Sequence, residues 1–137
     1  MAVPDSTPSP TLRQRAASSS PFEATIGFSR AVRVGSRVLV SGTAPIWPDG
    51  HVDPDPAVQA QRCFEIILAA LAELGAEARH VVRTRMYIVD PAVAGAVGSV
   101  HGRVFGEARP AATMVVVAAL LDLRWKVEIE AEALIDG

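Results

Sequence analysis

A single cysteine in 137 residues removes two chemistries at once. Cys63 has no partner for an intrachain disulfide and no second thiol for a cysteine-based zinc site. Its neighbours are apolar, the setting of a half-buried inert thiol rather than a nucleophile. Histidine is as sparse: His51, His80 and His101 lack metal-ligand spacing, and no carboxylate motif draws them together, so no metal site is expected. The arginines are scattered and the net charge is -2. With no basic stripe interleaved with aromatics, nucleic acid is not an expected partner. No apolar run approaches the roughly 20 residues that cross a bilayer, so no membrane partner is expected either.

Apolar residues are what the chain has in excess. They make up half of it, and the mean hydropathy is +0.27. A chain this long buries a core without staples, and the surplus points to burial between subunits. Residues 1–10 are rich in Ser, Thr and Pro, which reads as a flexible tail, and the single domain is expected over 11–137. Thr11 to Ala17 is compatible with an added edge strand. The tail lacks the apolar core of a signal peptide, so a cytoplasmic location is the default expectation.

Val32 to Ser41 reads as a hairpin turning at Gly35-Ser36. A loop with Pro45, Pro48, Asp49-Gly50 and Pro54 follows. Asp55-Pro56 then opens a helix, the aspartate as N-cap and the proline at N1. Its stripe is Ala57, Ala60, Phe64, Ile67, Leu68 and Leu71, and Gly75 closes it. His80 to Val89 is the next strand, with Val82, Thr84, Met86 and Ile88 on one face and Arg83, Arg85 and Tyr87 on the other. Asp90-Pro91 starts a second helix with a stripe at Val93, Val97, Val100 and Val104. Gly95, Gly98 and Gly102 each cost it about 1 kcal/mol of propensity, which implies packing support or a close backbone neighbour.

The last quarter carries most of the functional content. Met114 to Leu121 shows no alternation, the pattern of a strand buried on both faces. The return segment alternates: Val127, Ile129, Ala131 and Ala133 on one side, Glu128, Glu130 and Glu132 on the other. A sheet with helices behind it and another subunit in front satisfies both. The predicted order is β-β-α-β-α-β-β, an α+β layer sandwich with two helices on one face of a mixed sheet.

These pieces, in this order and spacing, resemble the Rid family (RidA, YjgF or L-PSP proteins) over residues 22–135. They are Gly27-Phe28-Ser29-Arg30-Ala31-Val32, Val40-Ser41-Gly42, Gln59 and Gln61, Leu74-Gly75-Ala76, and Val81-Val82-Arg83-Thr84. Asp90, Phe105-Gly106, Pro110-Ala111 and Val127-Glu128-Ile129-Glu130-Ala131 complete them. The resemblance implies a chorismate-mutase-like fold and a homotrimer with sheets facing inward and clefts between subunits. It also implies cofactor-independent hydrolysis of enamines and imines such as 2-aminoacrylate to keto acids and ammonia.

Carried over by position, Glu128 matches the water-placing glutamate, while Phe28 stands in place of a cleft tyrosine. Gly98 replaces an asparagine of helix two. Ala112 stands where an arginine would bind the substrate carboxylate, as in an arginine-lacking branch of the family. A methyl group cannot replace a bidentate guanidinium. The expected function is therefore a trimer that binds a small carboxylate or imine-like metabolite in its clefts. An imine or enamine deaminase of altered specificity, and a non-catalytic chaperone-like or partner-binding protein, remain alternatives. The candidate site comprises Glu128 as the catalytic group, with Phe28, Arg30, Ser41, Gly42, Arg85, Ala112, Thr113 and Met114 around the ligand. Glu128 with Arg85 is the candidate ion pair across the cleft, and Arg30, Arg85 or Arg109 the candidate replacement cation. His101 reads as a packed interface histidine in preference to a general base.

Overall fold

Among the described residues alternation and capping lay out six strands and two α-helices, besides short helical turns. The computed structural model describes residues 12–17, 20 and 22–136. The tail expected over residues 1–10 lies outside them. The elements are β1 (Arg13–Ala16), β2 (Ala31–Val34), β3 (Arg37–Thr43), α1 (Pro56–Glu73), β4 (Val81–Ile88), α2 (Ala94–Phe105), β5 (Ala111–Val116) and β6 (Val127–Leu134). β1 occupies the segment weighed as an added edge strand. One mixed sheet runs β1-β2-β3-β6-β4-β5, antiparallel throughout except for the parallel β4–β5 pair.

α1 forms where the punctuation predicts it. The Asp55 side chain accepts the Ala57 N–H at 2.8 Å. At the other end Ala76 N–H reaches Leu71 O at 2.8 Å and Gly75 takes φ +83°, the six-to-one closure that glycine permits. Arg33, on β2, donates from Nη1 to Leu74 O at 2.8 Å and ties the helix end to the sheet. The buried flank of α1 (Ala60, Cys63, Phe64, Ile67 and Leu71) packs on β3 and β6, and α2 lies against α1. From the sheet, Val38, Val40, Met86, Ile129 and Ala131 complete this core.

Gln59 is fully buried on the same helix. Its Nε2 donates to Asp53 O (2.8 Å) and Arg124 O (3.0 Å), and its Oε1 accepts the Lys126 N–H (2.7 Å). One side chain thus joins the segments leading into α1 and β6.

Four expectations need correction. The β4–β6 register shifts between Val81 and Arg83, so Val81 enters the core and Val82 is exposed. His80 closes a 3₁₀ turn before β4 instead of starting the strand. β5 ends at Val116 as the sheet's edge strand, and most of it is exposed. Beyond it Leu121 and Leu123 are 90% and 88% exposed. The missing alternation in Met114–Leu121 therefore does not report burial within one chain. Finally, apart from the helix's own backbone, a Cβ at Gly95, Gly98 or Gly102 would meet none of the described residues within 4 Å, so within the chain no neighbouring backbone approaches α2 there.

Candidate functional site

Most of the candidate residues fall into two groups, one at β3 and β6 and one on β5, with β4 between them. The first forms where β3 departs from regular pairing with β6. The register slips between Val40 and Thr43, placing Ser41 and Gly42 at a bulge. Ser41 Oγ donates to Ser29 O at 2.7 Å, and Ser41 N–H to Arg30 O at 3.0 Å. These bonds dock the segment after Phe28 onto the bulge; Phe28 itself is half-buried.

Arg30 is 6% exposed. Its Nη2 donates to Gly42 O at 2.6 Å, while its buried Nε meets no acceptor among the described residues. Burial pulls its pKa below the usual arginine value, and the charges of Glu23 and Glu128 oppose that. Glu128, half-buried on β6, closes against the same glycine: a Cβ at Gly42 would sit 2.7 Å from Glu128 Oε2. A side chain at position 42 would therefore displace the Glu128 carboxylate, a matter of proximity and not of a positive φ. Burial pushes the Glu128 carboxyl above the ordinary 4.5, Arg30 holds it down in part, and Glu130 pushes it further up. The result is a half-buried carboxyl group set between a glycine and a buried cation, its proton held more tightly than in water.

On the open face beside this cluster lies a ladder of charges. Within the chain Arg85, the candidate partner of Glu128 across a cleft between subunits, faces Glu132 Oε1 at 3.4 Å and Glu130 Oε1 at 3.7 Å. In-register neighbours are Arg85 with Glu130 and Tyr87 with Glu128. Tyr87 donates its hydroxyl to Glu130, which raises the phenol's pKa. Of the three candidate cations it is Arg30 whose charge Glu128 feels; Arg109 is exposed, with φ +49° beyond α2. The alternating pattern shows which side of β6 Glu128 occupies, but the choice between Arg30 and Arg85 depends on the bulge and leaves no local signal.

The second group lies at the β5 edge. Ala112 is exposed and registers with Thr84; Thr113 Oγ1 accepts from Arg83 Nη2 at 3.1 Å; Met114 is half-buried against the core. Between Glu128 and these residues stand two strand spacings, about 10 Å. Arg30 also lines a cavity of about 230 Å³ between α1 and the loop after β3, with Ile46, Arg62, Ile66, Ala70 and Glu73. Neither Glu128 nor the β5 residues line it. Among the described residues no three of His, Cys, Asp and Glu converge as metal ligands, and no helix is long and apolar enough to cross a membrane.

The endoribonuclease L-PSP family model matches residues 18–135. The chain belongs to the Rid (YjgF/L-PSP) family. A solved YjgF/YER057c/UK114 family structure from Mycobacterium tuberculosis is similar over 90% of this chain and all of its own, at 40% identity and TM-score 0.83. An uncharacterized protein of Streptomyces coelicolor is 37% identical over 121 residues, covering 88% of this chain and 90% of its own. TdcF of Escherichia coli, solved with bound serine, is 25% identical with TM-score 0.75 and covers 89% of this chain and 93% of its own. As a Rid protein the chain has the mixed sheet and paired helices of that fold.

Proposed function

We propose that this Rid protein assembles as a homotrimer and binds a small metabolite in clefts between subunits. The observation that carries the reading is the half-buried Glu128, its carboxyl pKa raised by burial, beside Gly42, with Phe28, Arg30 and Ser41 alongside and Ala112 two strands away. One chain separates the two groups, and an adjacent subunit is the means of joining them. Serine bound to TdcF supports an amino-acid-sized ligand. Ribonuclease activity gains no support from a chain of net charge -2 whose open sheet face interleaves arginines with carboxylates.

Mass in solution tests the assembly. A thermal-shift screen with keto acids, amides, amines and serine tests the cleft, because a ligand of the native state raises apparent stability. A stable monomer, or no stabilising compound, overturns the reading.

A second reading, hydrolysis of an imine or enamine, is favoured by the raised Glu128 pKa. Glu128 would take a proton from water as the oxygen adds to the imine carbon. Glu128 would return that proton to the nitrogen. The carbon–nitrogen bond would then break as the hydroxyl gives up its proton to form the carbonyl, leaving a carbonyl compound and ammonia. Coupling to an amino-acid oxidase and following imine loss tests it, and a rate equal to the uncatalysed control rejects it. Gained activity in Ala112→Arg would trace the deficit to the missing guanidinium.

A further inference from the structure

The β5 edge holds one polar group that the cleft reading does not use. His101, on α2, places Nε2 2.8 Å from Thr84 Oγ1, with its ring against Phe64 and Phe105. Thr84 is fully buried, and His101 is its hydroxyl's only partner among the described residues. A buried hydroxyl hydrogen left without an acceptor costs about 1–3 kcal/mol. Thr84 therefore donates and Nε2 accepts, which leaves the proton of the neutral ring on Nδ1. Nδ1 has no hydrogen-bond partner among the described residues, and the side chain that carries it is half-buried, not fully enclosed.

The surroundings of that donor are uncharged. Thr84 registers with Ala112 across the parallel β4–β5 pair, about 4.8 Å away. Ala112 and Met114 share its face of the sheet, because in-register side chains point the same way. One turn back along α2, a Cβ at Gly98 would meet nothing within 4 Å, so space lies open beside the imidazole. Phe64 from α1, Thr84 from β4, Ala112 from β5 and Phe105 from α2 itself bring no titratable group to the ring. Burial alone lowers its pKa below 6.5.

We propose that the β5 edge receives its ligand through a neutral carbonyl group that accepts a hydrogen bond from His101 Nδ1, with Ala112 and Met114 as the apolar wall. The inference rests on the cleft-binding reading and narrows its ligand class to amides, esters or ketones presented at this end. On the Ala112–Met114 face a free carboxylate meets the neutral imidazole, since Arg83 engages Thr113 on the opposite face of β5, and desolvating it without a countercharge is costly. Acidification reverses the preference, because protonation of His101 places a cation beside Ala112.

Calorimetric titration of the full chain in its native assembly, with 2-oxobutanamide and 2-oxobutanoate as matched probes, tests this. At about pH 7.5 the amide should bind about ten-fold more tightly, and the preference should shrink or invert near pH 5. His101→Ala should lose about ten-fold in amide affinity, and His101→Gln, which keeps an N–H donor, should retain most of it. Should His101→Ala fail to fold, the wild-type pH profile and His101→Gln still decide the matter. A carboxylate preference near neutral pH, or amide affinity unchanged in His101→Ala, overturns the inference and leaves the cleft reading standing. So does binding of neither probe when the wider screen finds another ligand. No binding in either experiment overturns both.

Discussion

The β3–β6 seam and the β5 edge are built on opposite terms. At the seam a buried arginine, a glycine and a half-buried glutamate are packed so closely that a single added methyl group would collide with a carboxylate oxygen. At the edge, Ala112, Thr113, Val115 and Val116 are exposed, and the glycines of α2 leave space beside them. The seam is finished within one chain and the edge is not. Chemistry that needs a rigidly held group belongs at the seam, and recognition that depends on what a neighbour or ligand brings belongs at the edge.

The largest effect that would sharpen this contrast is at Gln59, on the finished side. Gln59→Ala strands the Lys126 N–H and two carbonyls and should lower stability by about 3 kcal/mol, read as a denaturant midpoint shift at unchanged slope. A loss below about 1 kcal/mol would mean that water replaces the amide. Val115→Asp, on the unfinished side, should leave far-ultraviolet dichroism intact while moving the mass in solution from trimer to monomer. An unchanged mass would remove β5 from the interface.

Gly42→Ala should act between these extremes, displacing the Glu128 carboxylate and weakening ligand binding by about ten-fold with little change in Tm. Normal binding would show that the seam yields where the packing says it should not. The smallest effect is electrostatic. Glu128 has its folded pKa raised above 4.5, so its ionisation costs stability as pH rises through the interval above that value. Glu128→Gln should therefore raise Tm slightly at neutral pH and leave it unchanged near pH 4. A rise confined to acid would contradict the stated burial.

Much of the scaffold is legible residue by residue. Asp55, Pro56 and Gly75 mark the ends of α1 because capping is local, and the period of two in Val127–Ala133 sorts the β6 faces because pleating is local. Met114–Leu121 reads as a strand that needs cover on both faces. Its strand ends at Val116 and the chain leaves most of it exposed, because apolar composition measures how much cover a strand needs and not which chain supplies it. Val82 was out of reach because one irregular residue in the register turns its side chain to the other face.

The sequence by itself determined where the helices begin and end, which side of β6 carries glutamates, and that an alanine occupies position 112, since each depends on neighbours a few residues away. Only the tertiary structure decided that Glu128 answers to Arg30 instead of Arg85, that Gly42 braces it, and that His101 stands behind Ala112 through Thr84. Those pairings join residues far apart in the chain. Their geometry depends on a bulge, a register and a helix packing that no short run of residues specifies.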